Sequence, residues 1–204
     1  MMLAVVGGHS RNIGKTSVVA GLIRALPELE WTAMKITQFG HGQCSEAGEP
    51  CECETELEHP YAITEERDPA SGTDSSRFLA AGARKSYWVR TRAGELGHAM
   101  PELRRIILQS ANIIAESNSL LQFLTPDLYL PVVDFSVEDF KPTSLLYLDR
   151  ADALVVVDTP FSAPLWRGVS NRLWRAKPRF TVQAPLYTSA ELAAFVRAAL
   201  PAGS

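Results

Sequence analysis

The chain has no run of about 18 apolar residues, the length a helix needs to cross a bilayer, anywhere in its 204 residues. Its N-terminus lacks the basic start, apolar centre and small-residue cleavage site of a secretory signal. No membrane association is therefore expected, and the expected compartment is the cytoplasm. A basic excess is missing as well: 20 lysines and arginines face 23 aspartates and glutamates, for a net charge of -3. That balance argues against a general polyanion-binding surface and against nucleic acid as a partner, yet it leaves room for a nucleotide in one local site. Cysteine is scarce. Three cysteines cannot all pair within the chain, and in the cytoplasm thiols serve metal or redox chemistry more often than disulfide frameworks. There is no internal repeat and no NKxD guanine signature.

What is present is an alternation of short, β-branched apolar runs with segments of helical period. This pattern predicts an α/β fold, a mostly parallel sheet covered by helices on both faces, in one domain over residues 1–204. Strands are predicted at residues 2–6, 31–36, 86–90, 112–115, 128–133 and 153–157. A helix is predicted from Lys15 until Pro27 stops it, and another over residues 102–109. Thr188 and Glu191 match a capping box for a last helix with Leu192, Phe195, Val196 and Leu200 on its apolar face. Residues 39–72, after the second strand, are acidic and mostly aperiodic, which marks them as an insert. Residues 161–185, with two tryptophans and five basic residues, fit a lid, a partner surface or a crossover equally well.

Between the first strand and the first helix lies "GGHSRNIGKTS". Strand, glycine-rich turn, GK[ST] and amphipathic helix are the setting of a phosphate-binding loop. Backbone N–H groups from Gly8, Asn12, Ile13, Gly14 and Ser17 are placed to surround phosphate oxygens, Lys15 to reach the terminal phosphates and Thr16 to ligate Mg²⁺. The loop is one residue longer than GxxxxGK[ST], and His9 stands where the first glycine falls. The longer turn is expected to bring His9, Arg11 or Asn12 towards the phosphates. Carboxylates for the metal are expected at strand ends, where Glu116, Asp134 and Asp158 qualify, with Asp74 in "GTDSSRF" as a fourth. Thr73 and Asp74 also read as an ordinary helix start.

The loop, the second strand "TAMKITQFGHG", the element "GTDSSRFLAAGA" and the strand ending in Glu116 follow one another in the order seen in MobB, the adaptor family of molybdopterin-guanine dinucleotide synthesis. The sequence resembles that family over about its first 120 residues, with Lys35, Gly72, Asp74, Ser75, the Ala81 to Ala83 "AGA" and Glu116 in the corresponding places. The resemblance implies a P-loop NTPase of three α/β/α layers, in the wider class with dethiobiotin synthetase and the nickel-insertion GTPases. It implies GTP with Mg²⁺, Lys35 and Asp74 among the nucleotide contacts, Lys15, Thr16 and Glu116 in any hydrolysis, a homodimer, and a cofactor-biosynthesis enzyme as partner. Slow turnover is expected, since no residue stands out to orient an attacking water. Three features depart from the family: the longer loop, "SNS" after Glu116 where a glycine is usual, and the cysteine-bearing insert.

All three cysteines lie in that insert. His41, Cys44, Cys51 and Cys53 read Hx2C, six residues, then CxC, a composition that suits tetrahedral Zn²⁺. Such a site is either closed and structural or, with three firm ligands, open and functional; the alternative is a solvated acidic loop with free thiols. His59 is a further imidazole at the segment's end. Elsewhere, His98 reads as an exposed helix residue, Trp88 as a core strand residue, and Trp166 and Trp174 as either a surface or core. The leading expectation is a nucleoside triphosphate-binding adaptor or slow GTPase in cofactor or metal-centre assembly. Its rivals are a small-molecule kinase or ATP-dependent ligase resembling dethiobiotin synthetase, and a metal-binding module switched by nucleotide.

Overall fold

The structure, a computed structural model, describes residues 1–39 and 59–200. In chain order the elements are β1 (Leu3–Gly8), α1 (Lys15–Ala25), β2 (Trp31–Phe39), β3 (Tyr61–Glu66), α2 (Asp74–Ala80), β4 (Lys85–Arg92), α3 (Leu96–Leu108), β5 (Asn112–Glu116), β6 (Leu128–Asp134), α4 (Pro142–Leu145), β7 (Leu154–Val157), β8 (Arg179–Val182) and α5 (Ala190–Ala198). Among the described residues the strands form one eight-stranded sheet in the order β3-β4-β2-β5-β1-β6-β7-β8. Every neighbouring pair is parallel except β3 with β4.

Both faces of this sheet are covered. Side chains alternate along a strand, so β1 sends Ala4 and Val6 to one face and Leu3 and Val5 to the other. The first face packs on α1, α2 and α5 through Val18, Leu22, Phe78, Leu192 and Val196. The second packs on α3 through Leu96, Ala99, Leu103 and Ile107, and on Trp166 and Trp174. Strands buried on both sides read as continuous apolar runs, which is why "LAVV", "NIIA" and "LVVV" stand out in the sequence.

β1 lies between β5 and β6, and the connections run away in opposite directions from this centre. The loops after β1, β5 and β6 therefore leave a crevice at the C-terminal edge of the sheet, the place where such folds bind ligands.

Four expectations are corrected. The segment at residues 39–72 is not an aperiodic insert throughout: its later part contains β3, an antiparallel edge strand whose alternating residues Tyr61 and Ile63 pack on the α3 side. Helix α3 begins at Leu96, before Pro101, because Leu96, Ala99 and Met100 bury apolar surface that offsets the missing N–H. The last helix is capped by Ser189, whose hydroxyl accepts from the Leu192 N–H at 3.2 Å, while the Thr188 hydroxyl finds no partner among the described residues. Trp88 is half-buried rather than in the core; its Nε1 donates to Thr37 Oγ1 at 3.1 Å, and the Arg90 guanidinium lies 4.6 Å from its ring. No helix among the described residues is long and apolar enough to cross a membrane.

Candidate functional site

The loop between β1 and α1 is set by its glycines. Gly14 has φ of 89°, a left-handed conformation that glycine adopts without cost and that turns the chain into α1. At Gly7 the reason is space: a Cβ there would lie 2.2 Å from Asn118 Oδ1. Asn118 uses this approach to accept from the Gly8 N–H at 3.0 Å and to donate to the Gly8 carbonyl at 2.9 Å. The asparagine of "SNS" thus braces the start of the loop, a part that spacing alone does not reveal.

His9 corrects the expectation that it turns towards the phosphates. The ring is fully buried beneath the loop, where its Nε2 accepts from the Asp134 N–H at 3.0 Å and its Nδ1 lies 2.8 Å from the Asp139 carbonyl. An accepting Nε2 places the ring proton on Nδ1, which donates to that carbonyl. The Phe140 and Trp166 rings lie tilted against the imidazole at 5.1 and 5.0 Å, and Phe135 and Trp174 complete an aromatic cluster. Burial lowers the imidazole pKa and keeps the ring neutral. The cluster also decides the tryptophans of the 161–185 segment: both are core.

Above the loop the register gathers four side chains distant in sequence. β2 and β5 align Lys35 with Glu116, on the face that carries α1. Lys35 Nζ contacts Glu116 Oε1 at 2.6 Å, Asp74 Oδ2 at 2.8 Å and Thr16 Oγ1 at 3.2 Å. Thr16 Oγ1 donates to Glu116 Oε2 at 2.8 Å. Burial opposes the charge on Lys35, but the two carboxylates outweigh it and raise the pKa. Burial also acts on Asp74, yet the Lys35 ammonium holds that carboxyl below its ordinary range. Asp74 stands at the first position of α2, after Thr73 caps it by accepting from the Ser76 N–H at 3.0 Å. The turn before it is organised by Glu66, which accepts from the N–H groups of Arg67 and Asp68 and from the hydroxyls of Ser71, Thr73 and Ser75. These bonds, the Asp68 N–H first among them, bring the Glu66 pKa down to about 2.

A cleft of about 780 Å³ opens over this group and is lined by Gly8, Asn12, Ile13, Gly14, Lys15, Thr16, Ser17, Lys35, Asp74 and Glu116. Every residue of the first nucleotide-site expectation is therefore in one place. Arg11 and Asn12 line it as well. Of the four carboxylates, Asp74, Glu116 and Asp134 line it; Asp158 does not, because β7 lies beyond β6 and its end is one strand too far from β1. Lys15 Nζ donates to the Ser10 carbonyl at 2.7 Å, and burial lowers its pKa. Sequence reasoning missed Arg77, Asn118, Lys141 and Tyr187, which also line the cleft. Arg77 and Ser17 are hydrogen-bonded at 2.9 Å. Arg77 lies within the "GTDSSRF" element and Asn118 within "SNS", but neither stands out there, and only the fold brings in Lys141 and Tyr187.

Five cationic side chains (Arg11, Lys15, Lys35, Arg77, Lys141) line the cleft against three carboxylates. In a chain of net charge -3 this local positive excess fits an anion. The metal expectation has two parts. Thr16, Asp74 and Glu116 supply one hydroxyl and two carboxylates, hard oxygen donors that suit Mg²⁺ when phosphates and water complete its shell. His41, Cys44, Cys51 and Cys53 lie outside the described residues, and His59 is exposed. Among the described residues no group of three or more His, Cys, Asp or Glu side chains is gathered for a metal. His98 is exposed on α3, as expected.

No family model matches the chain, and no curated protein matches it. Among solved structures it is similar to LpxK from Aquifex aeolicus, an "apo" form in complex with ATP, at 18% identity and a TM-score of 0.50, over 89% of this chain and 53% of that one. It is similar to HypB from Helicobacter pylori in complex with nickel, at 11% identity, a TM-score of 0.47, and 96% and 83% of the two chains. The MinC:MinD cell division protein complex of Aquifex aeolicus follows at 12% identity, a TM-score of 0.45, and 98% and 87% coverage. The chain spans about half the length of LpxK. The likeness to LpxK is one of fold: a mostly parallel sheet covered by helices on both faces.

Proposed function

We propose that the chain binds a nucleoside triphosphate with Mg²⁺ in this cleft and acts as an adaptor or slow GTPase in the assembly of a cofactor or metal centre. The observation that carries the binding is the meeting of Lys15, Thr16, Lys35, Asp74 and Glu116 at the end of a glycine-rich loop that opens a helix. In this reading the loop N–H groups hold the inner phosphates, and Lys15 leaves the Ser10 carbonyl to reach the outer ones. Thr16, Asp74 and Glu116 would hold the magnesium ion, which would neutralise phosphate charge. Lys35, already between these carboxylates, would be a second cation for the terminal phosphate. Asn118 and His9 keep the loop in shape from below. GTP, the homodimer and a cofactor-biosynthesis partner follow from the resemblance to the MobB adaptors. Zn²⁺ at His41, Cys44, Cys51 and Cys53 follows from sequence spacing.

A second reading is a small-molecule kinase or ATP-dependent ligase. It is favoured by the cleft's lining outside the loop, which includes the polar side chains of Thr37, Gln38, Ser119 and Thr143. Competitive binding of GTP and ATP, with and without Mg²⁺, separates the two: preference for GTP supports the adaptor, and preference for ATP with substrate-dependent release of ADP supports the kinase. Lys15→Ala is expected to abolish triphosphate binding and leave the circular dichroism spectrum unchanged. Unaltered affinity in that variant excludes the loop as the phosphate site.

A further inference from the structure

Lys141 lines the cleft from the segment that follows β6. Its main chain is held at both ends. The Lys141 N–H donates to the His9 carbonyl at 2.7 Å, and its own carbonyl accepts from the N–H groups of Ser144 and Leu145 at 2.9 and 3.0 Å. His9 in turn bonds the Asp134 N–H and the Asp139 carbonyl and packs against Phe140. The segment that carries Lys141 is therefore fastened to the phosphate loop itself, so the lysine keeps a set position relative to anything the loop holds.

Its side chain stands among like charges. The charged groups that act on it are Lys15 from α1, then Arg11 from the loop, Asp139 from its own segment and Lys35 from β2. The single carboxylate in that set is already engaged, since Asp139 Oδ2 accepts from Ser10 Oγ at 2.7 Å. Among the described residues no ion pair is formed by Lys141. Burial, and then Lys15 and Arg11, lower its pKa to about 8, so at neutral pH most of it is charged. A half-buried ammonium in a cleft with other cations gains nothing from them. It becomes favourable when an anion lies between them.

We propose that Lys141 binds the terminal phosphate of the nucleotide and makes the site select triphosphate over diphosphate. This rests on the nucleotide reading. The inner phosphates are enclosed by the loop N–H groups and the start of α1, whereas a phosphate-loop lysine reaches outward to the last two. Lys141 lines the same cleft as that lysine and comes from the segment after β6, outside the loop. It therefore faces the end of the phosphate chain. An acidic group on a second substrate has the same chemistry, and binding measured with nucleotide alone distinguishes the two sources.

The test is calorimetric titration of the full chain, with Mg²⁺, by the β,γ-imido triphosphate and by the diphosphate of the preferred nucleoside. Lys141→Met is expected to weaken the triphosphate analogue by about tenfold or more, the scale of a charge-assisted contact. The diphosphate should weaken by less than about twofold, and its retained binding reports that the loop is intact. Lys141→Arg should keep the selectivity. Between about pH 7 and about pH 9 the ratio of the two affinities should fall more in wild type than in Lys141→Arg, because only the lysine loses its proton there. Equal loss of both ligands in Lys141→Met, or loss of neither, overturns the proposal and leaves the nucleotide reading standing. A wild-type chain that binds neither ligand overturns that reading and this inference with it.

Discussion

In the longer phosphate loop, His9 has a structural part. Its imidazole bonds two main-chain groups of the Asp134 to Asp139 stretch and lies between Phe140 and Trp166. His9→Ala leaves an N–H and a carbonyl without their partner and opens a cavity, for an expected loss of about 3 kcal/mol. Urea unfolding measures it, and a loss within error of zero excludes the bracing role. The pH dependence has a definite sign. The folded pKa lies below the ordinary 6.5, so the unfolded chain binds the proton more readily and stability falls as pH drops below 6.5. The fall in unfolding free energy between about pH 7.5 and about pH 5.5 should be smaller in His9→Gln, where that proton is gone.

At the scale of elements, the contacts of Lys35 join β2 to β5, α1 and α2 at one point. Glu116 is 3% exposed, and Lys35 is the cation that balances it. Lys35→Met leaves that buried carboxylate with the Thr16 hydroxyl and the more distant Lys15 charge, and is expected to cost about 3 kcal/mol. If Mg²⁺ is held by the same carboxylates, adding it should raise the melting temperature of Lys35→Met more than that of wild type. An equal rise in both proteins would place the ion elsewhere. The neighbouring turn shows the same division of labour in miniature, with Glu66 gathering five donors so that Thr73 and Asp74 are presented correctly.

For the whole molecule, the central position of β1 decides where chemistry can occur. The loops after β1, β5 and β6 converge at one edge, and the cleft's positive excess lies there in a chain that is acidic overall. A ligand that binds only this assembled edge stabilises the entire fold. At about 100 times its dissociation constant, Mg²⁺–nucleotide should add about 2.7 kcal/mol. Calorimetric unfolding across a concentration series checks this: the midpoint should climb with ligand in wild type and stay level in Lys15→Ala.

Much of this was legible in the sequence because it depends on near neighbours. The first helix, the central strands and the strand-loop-helix unit follow from apolar spacing and from glycine, lysine and threonine set close together in the chain. Lys35, Asp74 and Glu116 could be singled out by motif. The direction of His9, the core placement of Trp166 and Trp174, the exclusion of Asp158, β3 as an antiparallel edge and the arrival of Lys141 were decided by tertiary structure. The reason is separation: His9 meets Asp139 across 130 positions and Asn118 meets Gly8 across 110. A local pattern records which face a residue presents. Which distant partner meets that face is decided only when the sheet order brings the two strand ends together.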